Sequence, residues 1–145
     1  MSRSGYIDDY DDQWGWIRWR GAVASAIKGA RGQAFLREML SAMDALSEHK
    51  LIANDLERDG AVCALGAVGK ARGIAMAEIN HEDAQSVASA FGMSHALAAE
   101  IEFMNDEIFD ASDELRFARM RKWIESLIAA APYHSAGPRT NAPVQ

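Results

Sequence analysis

AVCALGAVGKARG, residues 61–73, is the stretch on which the fold class turns. The alternation through Val62 and Ala64, directly after the turn pair Asp59-Gly60, fits a strand leaving a hairpin. The competing assignment is a helix with Leu65 and Val68 inward that stops at Gly73. Alanine dominates the run and β-branched residues are few, which favours the helix. Gly66 and Gly69 each cost about 1 kcal/mol inside a helix, so the sequence predicts something packed closely against them. With that helix chosen, little in the chain competes with an all-α fold.

Working outward, WGWIRWRGAVASAIKG (residues 14–29) places Trp16, Trp19, Val23 and Ala26/Ile27 on one helical face. Its Trp-x-Trp and Arg-x-Arg alternation offers a strand, but the alanine-rich continuation favours helix. Gly29 and Gly32 bracket a break, and residues 33–46 resume the helical period through Phe35, Leu36, Met39, Leu40, Met43 and Leu46. Residues 50–58 predict a short amphipathic helix ending at Asp59-Gly60. Further helices are expected over 82–91, over 94–104 with Ser94 as N-cap, and over 113–130 with Ser112 as cap. The expected architecture is a single compact, bundle-like all-α domain of five to seven helices over residues 13–131. A short acidic N-terminal arm (1–12) precedes it and a disordered C-terminal tail (132–145) follows. The expected core contains Trp16, Trp19, Val23, Ile27, Phe35, Leu36, Leu40, Leu65, Val68, Val87, Phe91, Leu97, Ile101, Met120, Trp123 and Leu127.

A chain of 145 residues with 49% hydrophobic and 25% charged residues is large enough to bury one core without staples. The single Cys63 sits in an apolar run and reads as a small buried hydrophobe. The first residues lack the apolar centre of a signal peptide, and no run approaches the ~18 apolar residues of a membrane span. No membrane association is expected, and the compartment expected is the cytoplasm.

The net charge of −6 is unevenly placed. Residues 74–115 carry ten acids and no Lys or Arg, whereas residues 14–37 carry Arg18, Arg20, Lys28, Arg31 and Arg37 and no acid. Such an acidic block is either a solvated face or a docking surface for a basic groove. The arm YIDDYDD adds Asp8, Asp9, Asp11 and Asp12 between aromatic residues.

FGMSHALAAEI (residues 91–101) is spelled like the turn of a helix-turn-helix, with Ala88 and Ile101 correctly spaced about Gly92. Its second helix, however, offers His95, Ala96, Ala99, Glu100 and Glu102 where phosphate and base contacts need Arg, Lys, Asn or Gln. Charge decides against direct nucleic-acid binding through this element. A nucleic-acid-binding regulator, with a degenerate helix-turn-helix at residues 84–103 and contacts from Arg18, Arg20 and Arg31, is the alternative. The tryptophans near those arginines could stack on bases. We favour instead a core helix whose arginines pair with the acidic block.

The remaining motifs are incomplete. Gly66 and Gly69-Lys70 lack the first glycine and the Ser or Thr of a phosphate loop. His81-Glu82-x-x-Gln85 lacks the second histidine of a zinc helix. The run from Asp106 to Glu114 lacks the core of a calcium loop. No catalytic residue, metal site or cofactor is expected, and the chain does not read as an enzyme.

Taken together, YIDDYDDQW, IRWRGAVASAIKGARGQAFLREML, VCALGAVGKARG, AAEIEFMNDE and RFARMRKWIES resemble small uncharacterised proteins encoded by tailed bacteriophages and prophages of proteobacteria. The resemblance covers about residues 4–128. CALGA followed by Asn105-Asp106 also resembles, more distantly, an uncharacterised bacterial helical domain family. The first resemblance implies an accessory phage product in the host bacterial cytoplasm; neither carries over a functional residue. The expected function is binding, and inhibition, of a host protein with a basic groove. A nucleic-acid-handling or defence complex such as a CRISPR effector presents one. The expected partner-binding residues are Glu100, Glu102, Asp106, Glu107 and Asp110, supported by Asp8, Asp9, Asp11 and Asp12. Monomer and homodimer are both open on sequence alone.

Overall fold

The computed structural model describes residues 3–4 and 13–130. Among them are six α-helices: α1 Gln13–Lys28, α2 Ala30–Asp44, α3 Ala64–Arg72, α4 Ala84–Phe91, α5 His95–Asp106 and α6 Asp113–Ala130. A two-stranded antiparallel hairpin, β1 Glu57–Arg58 and β2 Ala61–Val62, and a 3₁₀ turn at Met76–Glu78 complete them. The all-α class stands. The C-terminal tail and the arm residues Asp8, Asp9, Asp11 and Asp12 lie outside the described residues.

Both competing assignments of residues 61–73 describe part of the stretch. Asp59 and Gly60 are left-handed (φ 54° and 85°) and turn the chain so that Glu57 pairs with Val62. The chain then enters α3 at Cys63, whose Sγ accepts the Gly66 N–H at 3.3 Å. The helix stops at Gly73, left-handed at φ 73°, with Lys70 and Arg72 in its last turn, where they complement the helix dipole. The close packing expected at the glycines is present. A Cβ on Gly66 would stand 1.9 Å from the Leu56 carbonyl oxygen, and one on Gly69 2.6 Å from Met76 Sδ. Leu56 O is backbone and is held by the Cys63 N–H at 3.2 Å, so it cannot yield cheaply. Gly66→Ala is therefore expected to destabilise the fold by about 2 kcal/mol, read as a lower urea midpoint.

Helices α2 and α5 are central. The first packs against α1, α3 and α6, the second against α1, α3, α4 and α6. Their shared core holds Leu36, Met39, Met43, Leu65, Val68, Phe91, Leu97, Ile101, Met120 and Ile124, all buried. Asp83, Ser94 and Ser112 cap α4, α5 and α6 through side-chain oxygens, the last two as expected. No helix among the described residues is long and apolar enough to cross a membrane.

Two expectations need correction. Residues 50–58 form no helix. Leu51, Ile52 and Leu56 are buried in irregular backbone whose N–H and C=O groups pair with Asp113, Val62 and Cys63 instead. Tertiary bonds outcompete a short helix, which is marginal by itself. Trp16 is not core: it is 39% exposed, with the Arg20 guanidinium 5.7 Å over its ring. Helix α1 lies at the edge and turns Trp19, Val23, Ala26 and Ile27 inward, and of its residues only Val23 is fully buried. Leu40, Trp123 and Leu127 are likewise half-buried at the core margin.

Candidate functional site

Helix α5 and the turn that follows it carry the residues expected to form an acidic face, and the structure puts most of that charge inside. Eight residues of α5 are buried, Glu100 and Glu102 among them. Glu100 Oε1 and Oε2 accept a two-pronged contact from Arg20 at 2.6 and 3.2 Å. Asp106 is gripped the same way by Arg3, whose Nε and Nη2 donate at 2.5 and 3.0 Å. Glu107 accepts the Ser4 hydroxyl at 2.8 Å. Asp110 is chelated by Arg119 Nε and Nη2 at 2.9 and 2.8 Å, with Arg116 Nε 3.6 Å away. Arg119 holds the Asp110 carboxyl below the usual carboxylate range.

Glu100, Glu102, Asp106 and Asp110, expected to bind a partner, thus face cations of the same chain, and an outside basic groove would have to displace these first. The physical reason is the charge asymmetry itself. Acids clustered on one segment and bases on others attract within one chain, and paired contacts at close range outweigh a solvated face.

The most elaborate of these pairings surrounds Asp106. Its Oδ1 also accepts the Asn54 backbone N–H at 3.0 Å and the Asn105 Nδ2 at 2.8 Å. Asn54 reaches it only because its backbone is left-handed (φ 73°), a conformation asparagine tolerates better than most residues. Asn105, 1% exposed, ties three elements together. Its Oδ1 accepts the Ala64 N–H at the start of α3 (3.2 Å), and its Nδ2 donates to the Ile52 carbonyl (2.9 Å). Ala64, next to Cys63, and Asn105-Asp106, far apart in the chain, therefore meet at one buried polar seam.

Glu102 lies beside this seam, fully buried, with Oε2 3.6 Å from Arg3 Nη1 and neither oxygen hydrogen-bonded. Burial pushes its carboxyl up to about 8, against the lowering influence of Arg3, and Asp106 and Asp83 add to the rise. At neutral pH Glu102 holds its proton. Arg3 keeps its charge: burial opposes it, and the hydrogen-bonded Asp106 carboxylate helps to offset that. Arg3 and Asn105 carried no signal as site residues in the sequence, because a lone arginine near a chain end and an asparagine on a helix have many ordinary roles.

Burial of α5 also weighs against the helix-turn-helix at residues 84–103 as a DNA reader. The turn geometry is present, with Gly92 left-handed between α4 and α5. The would-be recognition helix, however, lies in the middle of the fold and cannot enter a groove. Comparison with protein-family models, with curated proteins and with solved structures finds no match for this chain.

Large apolar side chains stand exposed at Phe109 and Leu115 and, grouped on one helix, on α1. Trp14 is 70% and Ile17 49% exposed, and they lie one turn apart. Arg18, Gly21, Ser25 and Lys28 continue the same exposed stripe. Arg31 and Arg37 are exposed on α2. Of the alternative nucleic-acid contacts, Arg20 is engaged by Glu100, whereas Arg18 and Arg31 point outward. His81 Nε2 lies 3.0 Å from Asp55 Oδ1 at a cavity of about 260 Å³ lined, among the described residues, also by Leu56, Glu57, Met76, Ala77 and Ile79.

Proposed function

We propose that this chain is a phage-type accessory protein that acts by binding a host protein, and that it does so through the outer stripe of α1 and not through the acidic block. The observation that carries this is the exposure of Trp14 and Ile17 on adjacent turns, flanked by Arg18. Large apolar side chains grouped in this way on a folded surface are characteristic of contact sites. Tryptophan and arginine dominate the energetics of such sites. Spacing of i, i+3, i+4 and i+7 suits a helix laid into an apolar groove. With Arg18 and Lys28 on the stripe, the groove that fits carries acidic residues at its rim.

The same exposed cations support a second reading, single-stranded nucleic acid stacked on Trp14 and neutralised by Arg18 and Arg31.

The test is affinity capture from nuclease-treated host lysate, comparing wild type with Trp14→Ala/Ile17→Ala. One host protein retained in stoichiometric amount by the wild type, and at least about tenfold less by the variant, is the expected result. The variant should unfold within about 2 °C of wild type, because both side chains already face solvent. Undiminished capture by the variant refutes the assignment of this face. Nucleic acid recovered only without nuclease, and lost steeply with salt, selects the second reading.

A further inference from the structure

Arg3 and Ser4 sit on the helical body as a docked dipeptide does. Arg3 is buried, with a planar fork on both oxygens of Asp106 and its third nitrogen toward Glu102 at 3.6 Å, while Ser4 reaches Glu107. The slot that receives the guanidinium is held by groups other than Arg3. Asn54 and Asn105 orient Asp106, and Asn105 is itself fixed by Ile52 and Ala64. Glu102, by contrast, has no hydrogen-bond donor, and Arg3 is the cation beside it. The Asp106 carboxylate, its side chain buried and held among neutral groups, is unfavourable without positive charge, and the Glu102 carboxyl beside it has no hydrogen-bond partner. Parallel bonds from Nε and Nη2 match a guanidinium, whereas an ammonium cannot form them.

We propose that the Glu102–Asp106 slot is a guanidinium-binding site whose resident ligand is the chain's own Arg3, and that an arginine side chain from another peptide takes it in place of Arg3. The inference does not rest on the α1 face.

Chemical rescue tests it on the full chain. Arg3→Ala should melt about 10 °C below wild type, as expected when one partner of a buried ion pair is removed. Ethylguanidinium chloride at tens of millimolar should recover about half of that loss. It should do so neither in wild type nor in Arg3→Ala/Asp106→Asn, and ethylammonium chloride should not substitute. Recovery that is equal with ethylammonium, or equal in the double variant, overturns the proposal.

If Arg3→Ala does not fold, Arg3→Lys retains a cation in the slot. Titration with N-acetyl-arginine amide should then shift the Asn54 backbone and Asn105 side-chain amide resonances saturably, and unchanged resonances refute the site. The source of the arginine is separable. Rescue of Arg3→Ala by added Asp106→Asn chain, with a dimer in sedimentation, names a second copy's arm. Rescue by free arginyl peptide with the protein monomeric names an outside peptide. Failure of both, with ethylguanidinium also inert, overturns the proposal.

Discussion

Asn105→Ala is expected to lower the unfolding free energy by about 4 kcal/mol, the largest loss we expect from a single polar side chain here. Three hydrogen bonds disappear together: those with Ala64 N–H, the Ile52 carbonyl and Asp106. Leaving a buried donor or acceptor orphaned costs about 1–3 kcal/mol each, and the site is 1% exposed, so water does not readily replace the lost amide. The Ala64 N–H belongs to the first turn of α3, where no helical carbonyl is available to it. Loss of Asn105 also frees Asp106 to rotate away from Arg3. Urea unfolding followed by circular dichroism measures the effect. A midpoint that moves by less than the equivalent of about 1 kcal/mol would show that the seam is not what joins α3, the 51–63 segment and α5.

The second large effect is a pH dependence carried by Glu102. Its carboxyl titrates near 4.5 when unfolded and about 8 when folded, so between those values the folded state holds the extra proton. The associated stability is fully present below pH 4.5 and is lost as pH rises through 8. Within that window the unfolding free energy should fall by up to about 1.4 kcal/mol per pH unit. Glu38, Asp44, Asp83 and Asp110, whose pKa values are lowered by Arg72, Arg121, Ser86 and Arg119 respectively, act in the opposite sense and at lower pH. They lose their stabilising contribution as pH falls through the acid range. Glu102→Gln removes the titration and keeps the volume. It should match wild type near pH 4.5 and exceed it in stability by several kcal/mol at pH 8. Urea midpoints at pH 5, 6, 7 and 8 decide the matter. Parallel curves for the two proteins would mean that Glu102 titrates normally.

Much of the helical architecture was legible because its causes are local. The apolar period over 33–46 and 113–130, the hydroxyl caps at Ser94 and Ser112, and the stop at Gly73 act over a few residues, and each appears where expected. Gly66 and Gly69 disclosed a close approach because glycine inside an alanine-rich helix is unfavourable unless something occupies the space.

Surface and site were less legible. Residues 50–58 have a helical pattern, yet bonds to Asp113, Val62 and Cys63 pull their backbone into an irregular path. In α1 the tryptophans share a repeat that fits a core face, but the helix lies at the edge, so Trp14 and Trp16 stay exposed. Composition and local pattern determined an all-α body with basic and acidic segments; tertiary structure alone decided that Arg3, Arg20 and Arg119 turn Asp106, Glu100 and Asp110 of the acidic block inward. Charge placement along a chain is a one-dimensional fact, whereas pairing depends on which helices cross within a few ångströms, and that is settled by apolar packing far from the charges.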